Sequence, residues 1–387
     1  MNKINKDWKE VKLGDIGVFL RGFGISKKDL SDSGTPAIRY GDIYTKYDFI
    51  IKNISSFTNS KGTELKKGDI LFAGSGETIA EIGKSVAFID DFKALAGGDI
   101  IIFRPSIELD SAFLSYMLNT GKCRRDISVM GQGVIIAHIS SKSLQKLSVF
   151  LPSLEEQKRI ASALSKIDAY LENTIKLIEE KERFKRGIAK KLLTCKEGEN
   201  IPEARFKGFE DEWEIKTLNS ISNIKKGEQK NKLDLIADGK YPVLNGGMNF
   251  SGYCNSYNRE ANTITISEGG NAGYVNFIKE NFWSSGHCYT LHDLKIDKYF
   301  LYQCLKNSEK RLMKLQLGTA LKNIRQSEIV EFELNIPKSI KEQEKIGGYL
   351  SLLNEEIDNL KNQKELIKEM KRGAMQKLLS GEVRLLE

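Results

Sequence analysis

The chain has 387 residues, 40 % of them apolar and 29 % charged, with a formal net charge of +8. That length spans two or three domains and can bury a full core without disulfides or metal. The composition disfavours membrane, secreted and collagen-like classes, and the positive balance favours a polyanionic partner.

No apolar run approaches the ~18 residues that span a bilayer; the longest are pieces such as 134–137 and 100–103. The opening MNKINKDWKEVKL has no apolar core of a secretory leader. Five cysteines (Cys123, Cys195, Cys254, Cys288, Cys304) are scattered without a CxxC pair. An odd, unclustered set fits a reduced cytoplasm, and a cytoplasmic location is expected.

In chain order, Trp8, Leu13 and Ile16 open a first globular part. Polar and basic loops with interleaved aromatics follow at Arg21, Lys27, Lys28, Arg39, Tyr40, Lys46 and Tyr47. β-Branched or aromatic runs bounded by Gly, Asp or Asn predict strands at 85–89 and 99–103. A short helix is predicted at 112–118. Lys122, Arg124, Arg125, Gln132 and His138 form a second polar stretch.

Next comes a long amphipathic segment. Ile160, Leu164, Ile167, Leu171, Thr174, Ile178, Lys181, Lys185, Ile188 and Leu192 share one heptad seam. Pro152 stands upstream, Ser153 and Glu156 have capping-box spacing, and Gly198 follows as a stop signal.

The chain then repeats itself. Trp213, Leu218 and Ile221 restate the opening at a shift of 205 residues. A second globular part carries the basic run Lys225, Lys226, Gln229, Lys230, Asn231 and Lys232. Asn245, Asn249, Tyr253, Asn255, Tyr257, Asn258 and Arg259 form another polar run, and Lys310, Arg311, Lys314, Lys322, Asn323 and Arg325 a third. Strands are predicted at 262–267 and 274–278 and a helix at 298–306.

A second seam, at a shift of 186, comprises Ile346, Leu350, Leu353, Ile357, Leu360, Lys364, Ile367, Lys371, Ala374 and Leu378. It has its own Pro337, Ser339 with Glu342, and Gly381. About 39 residues at ~1.5 Å each give roughly 58 Å of helix, more than a small globular part can cover. Pairing of the two seams with each other is therefore expected over packing of each on its own globular part. The seam lysines Lys181, Lys185, Lys364 and Lys371 either set register or snorkel to solvent.

The expected fold is α+β: two β-rich globular parts separated by a long antiparallel two-helix coiled coil, as a pseudo-two-fold repeat. The partition is 1–151, 152–198, 199–336 and 337–387. Helix pairing rests first on Ile160, Leu164, Ile167, Leu171, Ile346, Leu350, Leu353 and Ile357.

No catalytic or metal site emerges. Phe72-Ala-Gly-Ser-Gly76 fits the short FxGxG pattern of S-adenosylmethionine sites, but no two prolines are adjacent, as an amino-methyltransferase motif requires. Gly83-Lys84-Ser85 imitates the end of a Walker A loop, with Thr78 where its first glycine belongs. His138, His287 and His292 lack the spacing of a four-ligand metal site, and no G-x-S-x-G elbow exists. The loop residues that could neutralise phosphates or read base edges are Arg21, Lys27, Lys28, Arg39, Tyr40, Lys46, Arg124, Arg125, Gln132, Lys226, Lys230, Asn245, Asn249, Tyr257, Arg259, Lys322 and Arg325.

Trp8-Lys-Glu-Val-Lys-Leu-Gly-Asp-Ile16, Gly68-Asp-Ile-Leu-Phe72, Leu151-Pro-Ser-Leu-Glu-Glu-Gln-Lys-Arg-Ile160 and the second copy from Trp213 to Leu379 together resemble the specificity subunit of type I restriction–modification systems. Ile336-Pro337-Lys-Ser-Ile340 is a looser version of the proline motif, and the second globular part is shorter. The resemblance implies a non-catalytic DNA reader, with one target recognition domain on each half of a split, asymmetric duplex site and the helices as a ruler between them. It implies docking of two modification (methyltransferase) subunits that bring S-adenosylmethionine to adenine N6. Restriction subunits would use ATP and Mg2+, and no cofactor would bind this chain. Lys185-Arg186 and Lys371-Arg372 would face either those subunits or DNA phosphates. The competing readings are a stand-alone DNA adenine methyltransferase using the 72–76 turn, and a coiled-coil scaffold bridging proteins.

Overall fold

A computed structural model describes residues 5, 7–133, 137–318 and 322–386; residues 134–136 of the apolar run at 134–137 and most of the opening MNKINK lie outside them. The chain divides into two units, residues 1–174 with 363–387 and residues 175–362. Each unit takes one globular head and one half of each of two long helices, α1 (Leu154–Leu193, 40 residues) and α2 (Ile340–Leu378, 39 residues). The fold is α+β, and no described helix is long and apolar enough to cross a membrane.

In the first unit a five-stranded sheet runs in the order Gly17–Arg21, Ile100–Pro105, Ile70–Ala73, Ser85–Phe88, Ile50–Ile51. Ile70–Ala73 and Ser85–Phe88 are buried at every residue, because each sheet face carries its own core. Ile70, Phe72, Ala87, Ile101 and Phe103 point one way, toward the helix Ser111–Leu118 and the long helices. Leu71, Ala73, Val86, Phe88 and Ile102 point the other way, toward Ile38 and Ile43. Strands buried on both faces read as continuous apolar runs rather than alternating ones. Asp99 and Asn262 have φ of 59° and 60°, so the strands expected at 99 and 262 begin one residue later, at Ile100 and Thr263.

The second unit has a four-stranded sheet in the order Asn223–Lys226, Cys288–His292, Thr263–Ser267, Val275–Ile278. The helix Lys298–Asn307 covers one face through Phe300, Leu301 and Cys304. All five cysteines are free thiols.

The two copies share their joints between head and helix. Trp8 stacks edge-on against Phe113 at 6.0 Å, and Trp213 against Phe300 at 6.0 Å. Asp110 and Asp297 cap the short helices through the Phe113 and Phe300 N–H groups. The Gln157 amide donates to the Pro152 carbonyl and accepts from the Asp110 N–H; Gln343 repeats both bonds with Pro337 and Asp297.

The capping boxes form only in part. Glu156 N–H donates to Ser153 Oγ at 3.3 Å, while Glu342 N–H donates to the Ser339 carbonyl. Their buried carboxylates serve elsewhere. Arg384 grips Glu156 bidentately at 2.6 and 2.8 Å, and Arg205 grips Glu342 at 2.7 and 2.8 Å. In each case the arginine follows the end of the partner helix.

Every seam residue of both helices is buried or half-buried. In the first unit Asp168 faces Lys371 and Tyr170 faces Gln363; in the second Lys181 pairs with Glu356 at 2.6 Å, and Ala189 and Leu192 share a core with Ile346 and Leu350. Within each unit the helix segments therefore run antiparallel.

The seam lysines behave differently from one another. Lys371, with 11 % of its side chain exposed, sits 2.6 Å from Asp168, which also accepts from Tyr116 Oη at 2.6 Å. Lys185 is its repeat, but Asn354 stands where the aspartate would be. Burial, with Lys306 and Lys361 nearby, holds the Lys185 ammonium below the usual lysine range. Lys371→Ala is expected to destabilise the chain by about 3 kcal/mol, because a buried carboxylate loses its cation. Chemical denaturation checks this, and pairing Asp168→Asn with Lys371→Met is expected to recover most of the loss.

Candidate nucleic-acid interface

Both heads end their central strand in a tight turn clasped by two arms. In the first head, Gly74 N–H donates to the Asp99 carbonyl (2.7 Å) and the Gly74 carbonyl accepts from Ile139 N–H (3.0 Å). In the second, Glu268 N–H donates to the His287 carbonyl (2.9 Å) and its carbonyl accepts from Ile324 N–H (2.9 Å). The outer arm closes on itself through Gln132 and His138 in one head and through Leu317 and Asn323 in the other.

These contacts explain the glycines. A Cβ on Gly74 would lie 2.8 Å from the Asp99 carbonyl oxygen, and one on Gly269 would lie 2.5 Å from Asn323 Oδ1. Phe72 is wholly buried in the sheet, and Ser75–Gly76 pairs with Ala137–His138. The 72–76 turn thus packs closely against the protein's own backbone. Lys84 likewise spends its ammonium on the Tyr47 carbonyl at 2.6 Å.

Two cavities flank the first turn. One of about 800 Å³ is lined by Tyr40, Tyr44, Glu77, Glu81, Lys84 and Arg124 among others; one of about 370 Å³ is lined by Arg21, Ser75, Asp99, His138 and Ser141 among others. Arg21, Lys27, Lys28, Arg125 and Gln132 are exposed, and Tyr40 is 40 % exposed. Arg39 and Lys46 both grip the buried Asp42 carboxylate at 3.2 Å. Burial would raise the Asp42 pKa, but the Arg39 hydrogen bonds and charge outweigh it and hold the acid below its ordinary range. Arg124 is half-buried and donates to the Ile82 carbonyl. Arg39, Lys46 and Arg124 therefore hold the head's own structure.

In the second head one part of each polar run lies by the turn at residues 268–270. Lys226 lies 2.7 Å from its carboxylate, and Tyr289 Oη donates to the same oxygen at 2.9 Å. Asn245 precedes Gly246, whose carbonyl accepts from Asn271 N–H at 3.1 Å. The Asn245 side-chain oxygen is buried without a partner among the described residues. Lys322 and Arg325 are exposed on either side of Asn323 and Ile324.

The remaining candidates lie apart from this cluster or are spoken for. Lys230 sits over the Trp283 ring at 3.6 Å. Asn249 borders a hollow with Phe250 and Tyr253, and Tyr257 packs on Tyr241 at 4.9 Å. Arg259 donates to Thr290 Oγ1, the Asn258 carbonyl and the Lys226 carbonyl at 2.7–2.9 Å, tying two strands together. Sequence reasoning missed Glu268, Tyr289 and Tyr44, and met Ser75 only inside the 72–76 glycine pattern. The only available signal was a Gly-Gly pair directly after the strand-like run and Glu268.

A sequence-family profile described as the type I restriction modification DNA specificity domain matches residues 5–180 and 210–369. The chain is 39 % identical over 151 residues to a Mycoplasma pneumoniae protein named as a type I specificity subunit, a match spanning 38 % of this chain and 40 % of that one. The type I restriction enzyme MjaVIII specificity subunit of Methanocaldococcus jannaschii is 24 % identical over 413 residues, covering 99 % of this chain and 94 % of that one. The crystal structure of a type I restriction–modification S subunit from M. genitalium has the same fold, with a TM-score of 0.70 at 21 % identity, covering 98 % of this chain and 97 % of that one.

Proposed function

Because the chain belongs to the type I restriction–modification DNA specificity family, we propose that its two heads each read one half of a split, asymmetric duplex site. Residues 1–151 and 199–336 are the readers, and 152–198 and 337–387 form the spacer. The observation that carries this reading is the duplication: two heads with matching joints and matching turns, each built against half of the same helix pair. Exposed cations around the turns suit phosphates, and Asn and Arg side chains suit base edges. A helix of ~60 Å spans at most about 17 base pairs, so half-sites one to two helical turns apart are expected.

The chemistry belongs to partners in the cytoplasm. Two modification subunits, docked on the helices, would supply S-adenosylmethionine and methylate adenine N6. Restriction subunits would cleave with ATP and Mg2+. The lack of adjacent prolines argues against this chain's being a methyltransferase by itself. A coiled-coil scaffold that only bridges proteins would show no sequence preference on DNA at any salt.

Mapping adenine methylation in cells with and without the chain tests the reading. A split motif with one fixed gap, lost with the chain, is expected; a contiguous motif, or no change, would contradict it. Among single residues, Lys27→Gln and Lys28→Gln are expected to weaken binding evenly across sequences. Each would lower the slope of log affinity against log salt by about 1, which a salt titration of duplex binding measures.

A further inference from the structure

Only three histidines occur in the chain, and two of them meet at the corresponding turns of the two heads. His138 Nδ1 lies 3.0 Å from Ser75 Oγ, and His287 Nδ1 lies 3.7 Å from Glu268 Oε2. They arrive on different arms. His138 comes on the outer arm, where the second head has Asn323; His287 comes on the inner arm, where the first head has Asp99. The sequence repeat does not align them; the fold does. Both side chains are exposed, and their Nε2 atoms have no hydrogen-bond partner among the described residues.

We infer that His138 and His287 are DNA contacts, one per head, His138 held at Nδ1 by Ser75 and His287 facing Glu268 with its Nδ1, each presenting Nε2 as a donor to an acceptor on the duplex. The acceptor is a phosphate oxygen or guanine O6/N7. This rests on the proposal that the heads read DNA. Behind His287 stands Glu268, whose other oxygen is engaged by Lys226 and Tyr289. Around His138 stand Ser75, Arg21 and Asp99, with Tyr44 holding the Ser75 carbonyl. The charged neighbours are Glu268 and Lys226 at His287, and Asp99 and Arg21 at His138. Anionic DNA favours the charged ring, so binding takes up protons and tightens as pH falls from 8 to 5.5.

The test uses the full chain with its modification subunits and the duplex returned by methylation mapping. Affinity is measured from pH 5.5 to 8 at fixed salt for the parent, His138→Gln and His287→Gln. Each variant is expected to lose about tenfold at pH 5.5, equal to one pKa unit of linkage, with a smaller loss at pH 8 and an unchanged melting temperature. If the acceptor is a base edge, each variant relaxes one position in its own half-site. If it is a phosphate, the loss is uniform across sequences and the salt slope falls by about 1. Variants that bind within twofold of the parent with the same pH slope would overturn the inference. A parent that binds no split duplex would remove the DNA reading and this inference with it.

Discussion

Inserting one heptad after Thr174 alone is expected to abolish site-specific methylation, whereas matched insertions after Thr174 and Leu360 are expected to restore it on a longer site. A single insertion shifts one seam past its partner. It takes Asp168 out of register with Lys371, or Ile346 and Leu350 out of the core they share with Leu192. Matched insertions keep the seams paired and add seven residues, ~10 Å of helix or about three base pairs. The gap in the methylated motif is the readout. If matched insertions leave the gap unchanged, the helices do not measure the distance between half-sites.

The second large effect concerns the arginine clamps. Glu156→Ala and Glu342→Ala should each destabilise the chain by about 3 kcal/mol, because each strips the acceptor from a gripped guanidinium. Glu156 and Glu342 are each 1 % exposed, and Arg205 has 13 % of its side chain exposed. Glu342→Ala also frees Trp213 Nε1, which donates to the same carboxylate at 3.4 Å. By contrast Lys181→Ala, at a pair whose side chains are 33 % and 47 % exposed, should cost less than about 1 kcal/mol. Denaturant midpoints give the comparison; equal effects at all three positions would mean that the clamps carry no special share of the joint.

The clamps also show where sequence reasoning reaches its limit. The seams were legible because a three-and-four spacing is a local pattern that folding can hardly hide. The role of Glu156 and Glu342 was not, since their arginines lie 228 and 137 residues away along the chain. Local spacing suggested a capping box, and only the tertiary contact shows what the carboxylate does. The same limit separated the loop residues. Arg39, Arg124 and Arg259 are candidate DNA-facing cations in sequence, and only the fold shows that Asp42, the Ile82 carbonyl and the Lys226 carbonyl also hold them. Lys371 and Lys185 occupy the same repeat position; Lys371 has a buried ion pair with Asp168, whereas Asn354 is the repeat equivalent of Asp168 and Lys185 has no ion pair among the described residues. The turn at 72–76 was legible, but its counterpart at Glu268 stayed hidden because the repeat shift changes between the heads' ends and their middles.

Hydroxyl-radical footprinting of the chain with its modification subunits, on a duplex carrying the mapped site, tests the two-headed account most directly. Two protected patches on one face of the duplex, separated by an unprotected gap of constant length, are expected. One continuous patch, or protection that spreads evenly and vanishes with salt, would contradict it.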